Sequence, residues 1–313
     1  MQVVKRKSMN KFFERFTQLL VLWVILLGIL GYFFPKTLII FKNYTEWFFA
    51  FTMFGIGAVL SLADFKPILR KPQLVFLGTL AQFMIMPFLG FILARVLRLK
   101  SDLAVGVILV GAVPGAMASN VISYLASADV AYSVALTSLS TFLSPLLTPF
   151  FTYIFAHTFI QIKFWQMFFS IIKIVILPLI LGMGTRYIFG KRIEKISKIF
   201  PAFSSIFIAF ICGLVVALNR DYLKNITGII FLVVFLHNFF GLLLGYLAAK
   251  LYHFDKKRCR TLSIEVGMQN AGLGAVLALK HFSSSSAIPN ALFASWCIIT
   301  ASILAKIWAK RTT

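Results

Sequence analysis

The chain has 313 residues, 60% of them hydrophobic and 13% charged, with a formal net charge of +22. A soluble domain of this length would carry about twice that charged fraction, and a mean hydropathy of +0.92 spread over repeated long apolar runs means a polytopic membrane protein. Nucleic acid is excluded as the partner of the basic excess, because Lys and Arg fall in short loops between apolar runs, as the positive-inside rule requires.

Residues 1–15 form a basic tail, expected in the cytoplasm. The run "FTQLLVLWVILLGILGYFF" (16–34) follows it and lacks a small-x-small cleavage site, so it reads as an uncleaved first span. Nine more spans are expected at 46–62, 73–95, 103–126, 130–156, 165–188, 200–218, 226–250, 261–280 and 288–308. Each has the length that crosses ~30 Å of hydrocarbon. With the N-terminus inside, twenty-one of the 31 Lys and Arg lie on the cytoplasmic side, nine outside, and Lys173 within a span. That bias puts both termini in the cytoplasm of a bacterial inner-membrane protein.

Ten spans divide into two sets of five, 16–156 and 165–308, and an odd number per set inverts the second relative to the first. Inverted repeats are a transporter architecture whose sites lie where corresponding helices break near the midplane. Spans 4 and 9 should therefore correspond, and both should be poor plain helices. Span 4 contains "GAVPGAMASN" (111–120), where Pro114 removes a backbone donor. Span 9 contains "IEVGMQNAG" (264–272), with Gly267, Gly272 and, shortly after, Gly274. Each irregular stretch ends on an Asn, Asn120 and Asn270. Separately, a proline kink or glycine packing faces would explain them; together they point to a pair of discontinuous helices.

Of the nine acidic residues, Glu265 alone lies inside a span. Such a group costs ~2.5–3.5 kcal/mol on insertion scales and marks a functional site by default, although a position near a basic loop also permits snorkelling outward. Its neighbours offer oxygen donors: the amides of Gln269 and Gln82 and the carbonyls a broken helix releases. Hard cations take such ligands, and a single carboxylate favours a monovalent one. On span 5, Ser133, Thr137, Ser140 (or Thr141) and Ser144 share one helix face, read either as small-residue packing or as further cation ligands. The helix N-termini created by the breaks suit an anionic substrate group. The three Cys (212, 259, 297), one of them in a basic loop, have no metal or disulfide spacing. His237, beside Asn238, fits a packing hydrogen bond. No phosphate loop, HExxH or GxSxG is present, so the chain reads as no enzyme.

Four stretches, "MFGIGAVLSLADF" (53–65), 111–149, "SIEVGMQNAGLGAVLALKHF" (263–282) and "ALFASW" (291–296), resemble the bile acid:sodium symporter family. The resemblance implies an all-α membrane fold in which discontinuous helices 4 and 9 cross in a core of spans 3–5 and 8–10, with a panel of spans 1, 2, 6 and 7. It implies one sodium site on Ser119, Asn120, Ser133, Thr137 and Glu265, and a second on Gln82, Glu265 and Gln269 with the carbonyls of Val266 and Met268. The substrate would lie by Ala116, Met117, Ala118, Asn120, Asn270 and Cys297. There the chain departs from the family, which often has Thr where Ala116-Met117 stand and His-Asn where Cys297-Ile298 follow Trp296.

The expected function is sodium-coupled symport of an organic anion, bile-acid-like or a small carboxylate such as pantoate or a 2-oxo acid, by alternating access. No resident cofactor is expected, only Na⁺ as coupling ion, in two sites, in a monomer embedded in the lipid bilayer. The alternatives are a proton-coupled carrier, an arsenite-type efflux permease and a membrane sensor.

Overall fold

The computed structural model describes residues 19–190, 193, 199–224 and 228–310. The tail expected at 1–15, and the first residues expected in spans 1 and 8, lie outside them. The main helices are α1 (Leu20–Phe33), α2 (Thr45–Val59), α3 (Pro72–Val96), α4 (Ser101–Ala112), α5 (Ala118–Leu125), α6 (Val130–Ala156), α7 (Phe164–Phe189), α8 (Ile199–Leu218), α9 (Ile229–Leu251), α10 (Lys256–Gly267), α11 (Ala271–His281) and α12 (Ile288–Lys310). Among the described residues there is no strand, only an isolated antiparallel bridge between Gly115 and Gln269.

By length and composition, α3, α6, α7, α9 and the Ser285–Ala309 segment each suffice to cross a membrane. The Leu20–Phe33 and Pro35–Val59 pair passes only together, across a bend of 111°. Ten spans are expected from the sequence. Two of the expected spans, 4 and 9, are each cut in two, which shortens their helices; α1 and α2 have 14 and 15 described residues, and the apolar part of α8 is Ala202–Leu218. Along α3, Phe76, Leu80, Met84, Phe88, Ile92 and Val96 are exposed at every fourth position, while Val75, Thr79, Gln82, Phe83 and Met86 are buried. A helix with apolar side chains on its outward stripe is solvated by lipid, not water.

The chain divides into two compact units. One takes in the described residues through Ser61 and Ile171–Leu223, that is α1, α2, most of α7 and α8. Small residues let its backbones touch: a Cβ on Gly57 would strike the Leu179 carbonyl, and one on Gly182 the Phe54 carbonyl. Phenylalanines of α2 and α8 interleave, with Phe51 edge-on to Phe203 at 4.6 Å and Phe48 edge-on to Phe210 at 5.7 Å. A π-helical turn at Ile172–Ile176 lies within α7 and carries Lys173.

The other unit, Leu62–Ser170 with the described residues from Lys224 on, holds α3–α6 and α9–α12. Its two halves run in the same order: 25-, 12-, 8- and 27-residue helices, then 23-, 12-, 11- and 23-residue helices. The links into α4 and α10 also match. Arg98 (φ 49°) and His253 (φ 56°) are both left-handed, and the next residues donate back to Ala94 and Phe254's partner Ala249, each at 3.0 Å. These are Schellman-type helix ends.

The polar start of α10 differs from the hydropathy reading. α10 begins at Lys256, ahead of the expected 261, because Asp255 N-caps it by accepting the N–H of Lys257 (3.0 Å) and Arg258 (3.1 Å). Cys259, expected in a loop, is consequently helical and buried.

Candidate functional site: the paired helix breaks

Span 4 breaks at residues 113–117 because Pro114 has no N–H for the Val110 carbonyl and forces Val113 extended (φ −78°, ψ 158°). Span 9 breaks at 268–270 without a proline, so its freed backbone groups need tertiary partners. They have them. Asn270 N–H donates to the Pro114 carbonyl at 2.8 Å, and the Met268 carbonyl accepts from Ala116 N–H at 3.0 Å. The Gly267 carbonyl accepts from Asn238 Nδ2 at 2.8 Å, and the Val266 carbonyl from Gln269 Nε2 at 2.8 Å. The two breaks thus lie side by side and complete each other.

Asn238 is held in turn by Thr300, whose hydroxyl donates to its Oδ1 at 2.6 Å. In the sequence Asn238 stands out only as the neighbour of His237, which makes the expected packing bond, Nε2 to the Met86 carbonyl at 2.9 Å. Asn238→Leu, nearly isosteric, strands the Gly267 carbonyl in the interior, while the half-buried Thr300 hydroxyl can turn to the Trp296 carbonyl of its own helix at 3.0 Å. It is expected to lower stability by about 1–3 kcal/mol, read as the thermal unfolding midpoint in detergent, with Thr300→Val costing less.

Glu265 is fully buried, which removes the snorkelling alternative. Its Oε1 accepts from Ser119 Oγ at 2.6 Å and from Ser133 Oγ. The Ser133 hydroxyl also stands 2.9 Å from Asn120 Oδ1, and Thr137 Oγ1 3.3 Å from the same oxygen. On the far side Gln82 Nε2 donates to Gln269 Oε1 at 3.2 Å. Drawn from α3, α5, α6, α10 and the span-9 break, these residues form a cluster of two hydrogen-bonded groups, Ser119, Asn120, Ser133, Thr137 and Glu265 in one and Gln82 with Gln269 in the other, that meet at Gly115.

Around Glu265 the acceptors outnumber the hydroxyl protons. Ser133 has a single hydroxyl proton for two acceptors, and Thr137 can also spend its own on the Ser133 carbonyl at 2.9 Å. Glu265 Oε2 and Gln82 Oε1 are buried with no hydrogen-bond partner. Both belong to side chains lining Gly115: a Cβ there would stand 2.9 Å from Glu265 Oε2, 3.4 Å from Thr137 Cγ2 and 3.5 Å from Gln82 Nε2. Burial without a donor is costly for a carboxylate oxygen. A cation supplies what such a set lacks, and one carboxylate among neutral oxygens suits a monovalent, hard one.

Two sequence expectations need correction. Asn120 does not close the span-4 break as Asn270 closes the other. Helix α5 already starts at Ala118, whereas Asn270 N-caps α11 by accepting the N–H of Leu273 at 3.2 Å. Ser140 and Ser144 are buried but donate to carbonyls of their own helix, at 3.1 and 2.7 Å, so the hydroxyl row contributes only Ser133 and Thr137. Of the expected substrate residues, Ala116, Met117, Ala118, Asn120 and Asn270 are half-buried around the breaks. Cys297 is buried on α12, its thiol on the Ala294 carbonyl of its own helix at 3.7 Å.

The profile of the family described as the sodium bile acid symporter family matches residues 47–226, which includes Gln82, Ser119, Asn120, Ser133 and Thr137. An uncharacterized sodium-dependent transporter of Bacillus subtilis (strain 168), YocS, is 42% identical over 290 residues, 93% of this chain and 90% of that one. The chain belongs to the sodium bile acid symporter family. Probable chloroplast sodium/metabolite cotransporters are also similar: BASS1 of Arabidopsis thaliana, 33% identical over 92% of the chain and 73% of that protein, and BASS2 of rice (Oryza sativa subsp. japonica), 34% identical over 96% and 73%. Membership of the sodium bile acid symporter family places the chain among sodium-dependent membrane transporters, and the relatives named here are transporters rather than enzymes.

Proposed function

We propose that the protein is a sodium-coupled symporter of an organic anion, and that the Glu265 cluster is where Na⁺ binds. The observation that carries this is the pair of buried, donorless oxygens, Glu265 Oε2 and Gln82 Oε1, on side chains that meet at Gly115. One ion is assigned to Ser119, Asn120, Ser133, Thr137 and Glu265. The other is assigned to Gln82, Glu265 and Gln269, with the second lone pairs of the Val266 and Met268 carbonyls. The ions draw the two breaks together, and the first turns of α5 and α11 present amide N–H groups to a carboxylate or related anion. Ala116, Met117, Ala118, Asn120, Asn270 and Cys297 are the residues assigned to the substrate.

The matched order of helices, links and breaks in α3–α6 and α9–α12 supports ten spans built as two inverted repeats, 16–156 and 165–308. The unit of α1, α2, α7 and α8 is assigned as the panel and the other as the core, with alternating access by movement between them. The Lys and Arg distribution supports both termini in the cytoplasm of an inner membrane, and one chain carries the whole cluster, which supports a working monomer.

Coupling requires that Na⁺ and substrate favour each other's binding. The test is uptake into proteoliposomes of taurocholate, pantoate and 2-oxo acids under an imposed Na⁺ gradient, with choline replacing Na⁺ as control. Uptake of at least one anion only with Na⁺ is expected. Uptake driven by a pH gradient without Na⁺ would instead support the proton-coupled reading of Glu265.

A further inference from the structure

One helical turn from the cluster, the start of α10 and the turn joining α5 to α6 grip each other at three points. Arg260, 2% exposed, donates from Nη1 to the carbonyl of Ala126, the residue closing α5, at 2.9 Å. Asp129 N-caps α6 by accepting the Tyr132 N–H at 3.0 Å, and its other carboxylate oxygen pairs with Arg258 Nε at 3.3 Å. Arg258 also reaches Asp255 at 3.0 Å. The third point is Thr261, which is fully buried. Its hydroxyl accepts the Asp129 N–H at 3.0 Å and stands 3.1 Å from the Asp129 carbonyl. A threonine in a helix ordinarily spends its hydroxyl on the carbonyl one turn back, as Thr52, Thr152 and Thr185 do here. Thr261 lies 3.1 Å from that carbonyl too, on Lys257, but only Thr261 of these four also meets both backbone groups of a residue 132 positions away.

The spacing ties this grip to the ion site. Thr261 precedes Glu265 by four residues and Asp129 precedes Ser133 by four, so each pair shares a helix face. Thr261–Asp129 and Glu265–Ser133 are thus successive rungs between α10 and α6. Ser119 hangs from α5, whose last turn Arg260 holds.

We propose that Thr261 and Arg258 are positioning residues for the ion site: by fixing α10 against the α5–α6 turn they set the separation of Glu265 from Ser119 and Ser133, and with it the affinity for Na⁺. This rests on the sodium reading of the cluster. Neither residue touches the ion; both act through Glu265.

The test is thermal stability of the purified full chain titrated with NaCl, choline chloride holding ionic strength constant so that the half-buried Arg258–Asp129 pair is screened equally throughout. Thr261→Val keeps the shape and removes the hydroxyl; Thr261→Ser keeps the hydroxyl. Thr261→Val is expected to raise the half-saturating Na⁺ concentration about 5- to 30-fold, the effect of losing one or two net hydrogen bonds. Thr261→Ser should stay within about twofold of wild type. A folded Thr261→Val with wild-type half-saturation would overturn the proposal, as would a Ser variant impaired as much as Val. Should Thr261→Val not fold, Arg258→Gln carries the test. Its side chain is 25% exposed, and a rise of about two- to threefold is expected; no change overturns the proposal. A wild type without any Na⁺-specific shift would sink the sodium reading itself, a distinct outcome.

Discussion

Glu265→Gln is expected to abolish Na⁺-dependent stabilisation and uptake while leaving the protein folded. The carboxylate is fully buried, one oxygen has no partner, and no Lys, Arg or His pairs with it among the described residues. Removing one partner of a buried charge pair costs ~2–5 kcal/mol of binding, or roughly 30- to several-thousand-fold in half-saturating Na⁺. The same change has the opposite sign without Na⁺, because it neutralises a charge held out of water. In choline chloride, Glu265→Gln should therefore unfold at or above the wild-type temperature, and in NaCl below it. A purely structural Glu265, held by Ser119 and Ser133, would make the variant less stable in both salts. Unfolding midpoints in the two salts separate the accounts.

Gly115→Ala is expected to cost nearly as much with no change of charge. Gly115 does not have a positive φ, so the backbone accepts alanine. Its methyl, however, would stand 2.9 Å from Glu265 Oε2 and 3.5 Å from Gln82 Nε2, in the space where an ion would meet these side chains. Overpacking of this kind costs ~1–3 kcal/mol, here charged against ion binding, so half-saturating Na⁺ should rise about 5- to 150-fold. Unlike Glu265→Gln, this variant keeps the carboxylate and should still saturate at high Na⁺. A Gly115→Ala protein with wild-type Na⁺ dependence would place the ion elsewhere.

Much of this site is legible in the sequence, for reasons that differ by residue. Pro114 declares its break through its own chemistry, and Glu265 stands out as the lone acid in a span. The break in span 9 is weaker as a local signal, since no residue there forbids a helix. It is visible only by pairing it with span 4, and what sustains it is Asn238, Ala116 and Pro114, all remote in sequence. The hydroxyl row of span 5 shows the limit of periodicity. It puts Ser133, Thr137, Ser140 and Ser144 on one face correctly, yet the last two turn to their own backbone, a choice fixed by what lies opposite. The early start of α10 was in the sequence as Asp255, an N-cap ahead of a polar first turn, but hydropathy discounts such turns. Thr261 carries no signal in the sequence, because its partners are two backbone groups without a side-chain signature.

The most direct test is equilibrium binding of radioactive sodium to the purified protein, with unlabelled Na⁺, K⁺ and choline as competitors, in wild type and Glu265→Gln. The expected result is saturable binding displaced by Na⁺ but not by choline, approaching two ions per wild-type chain and lost in Glu265→Gln. Absence of saturable binding in the wild type, or binding that survives Glu265→Gln unchanged, would contradict the assignment of this cluster as the sodium site.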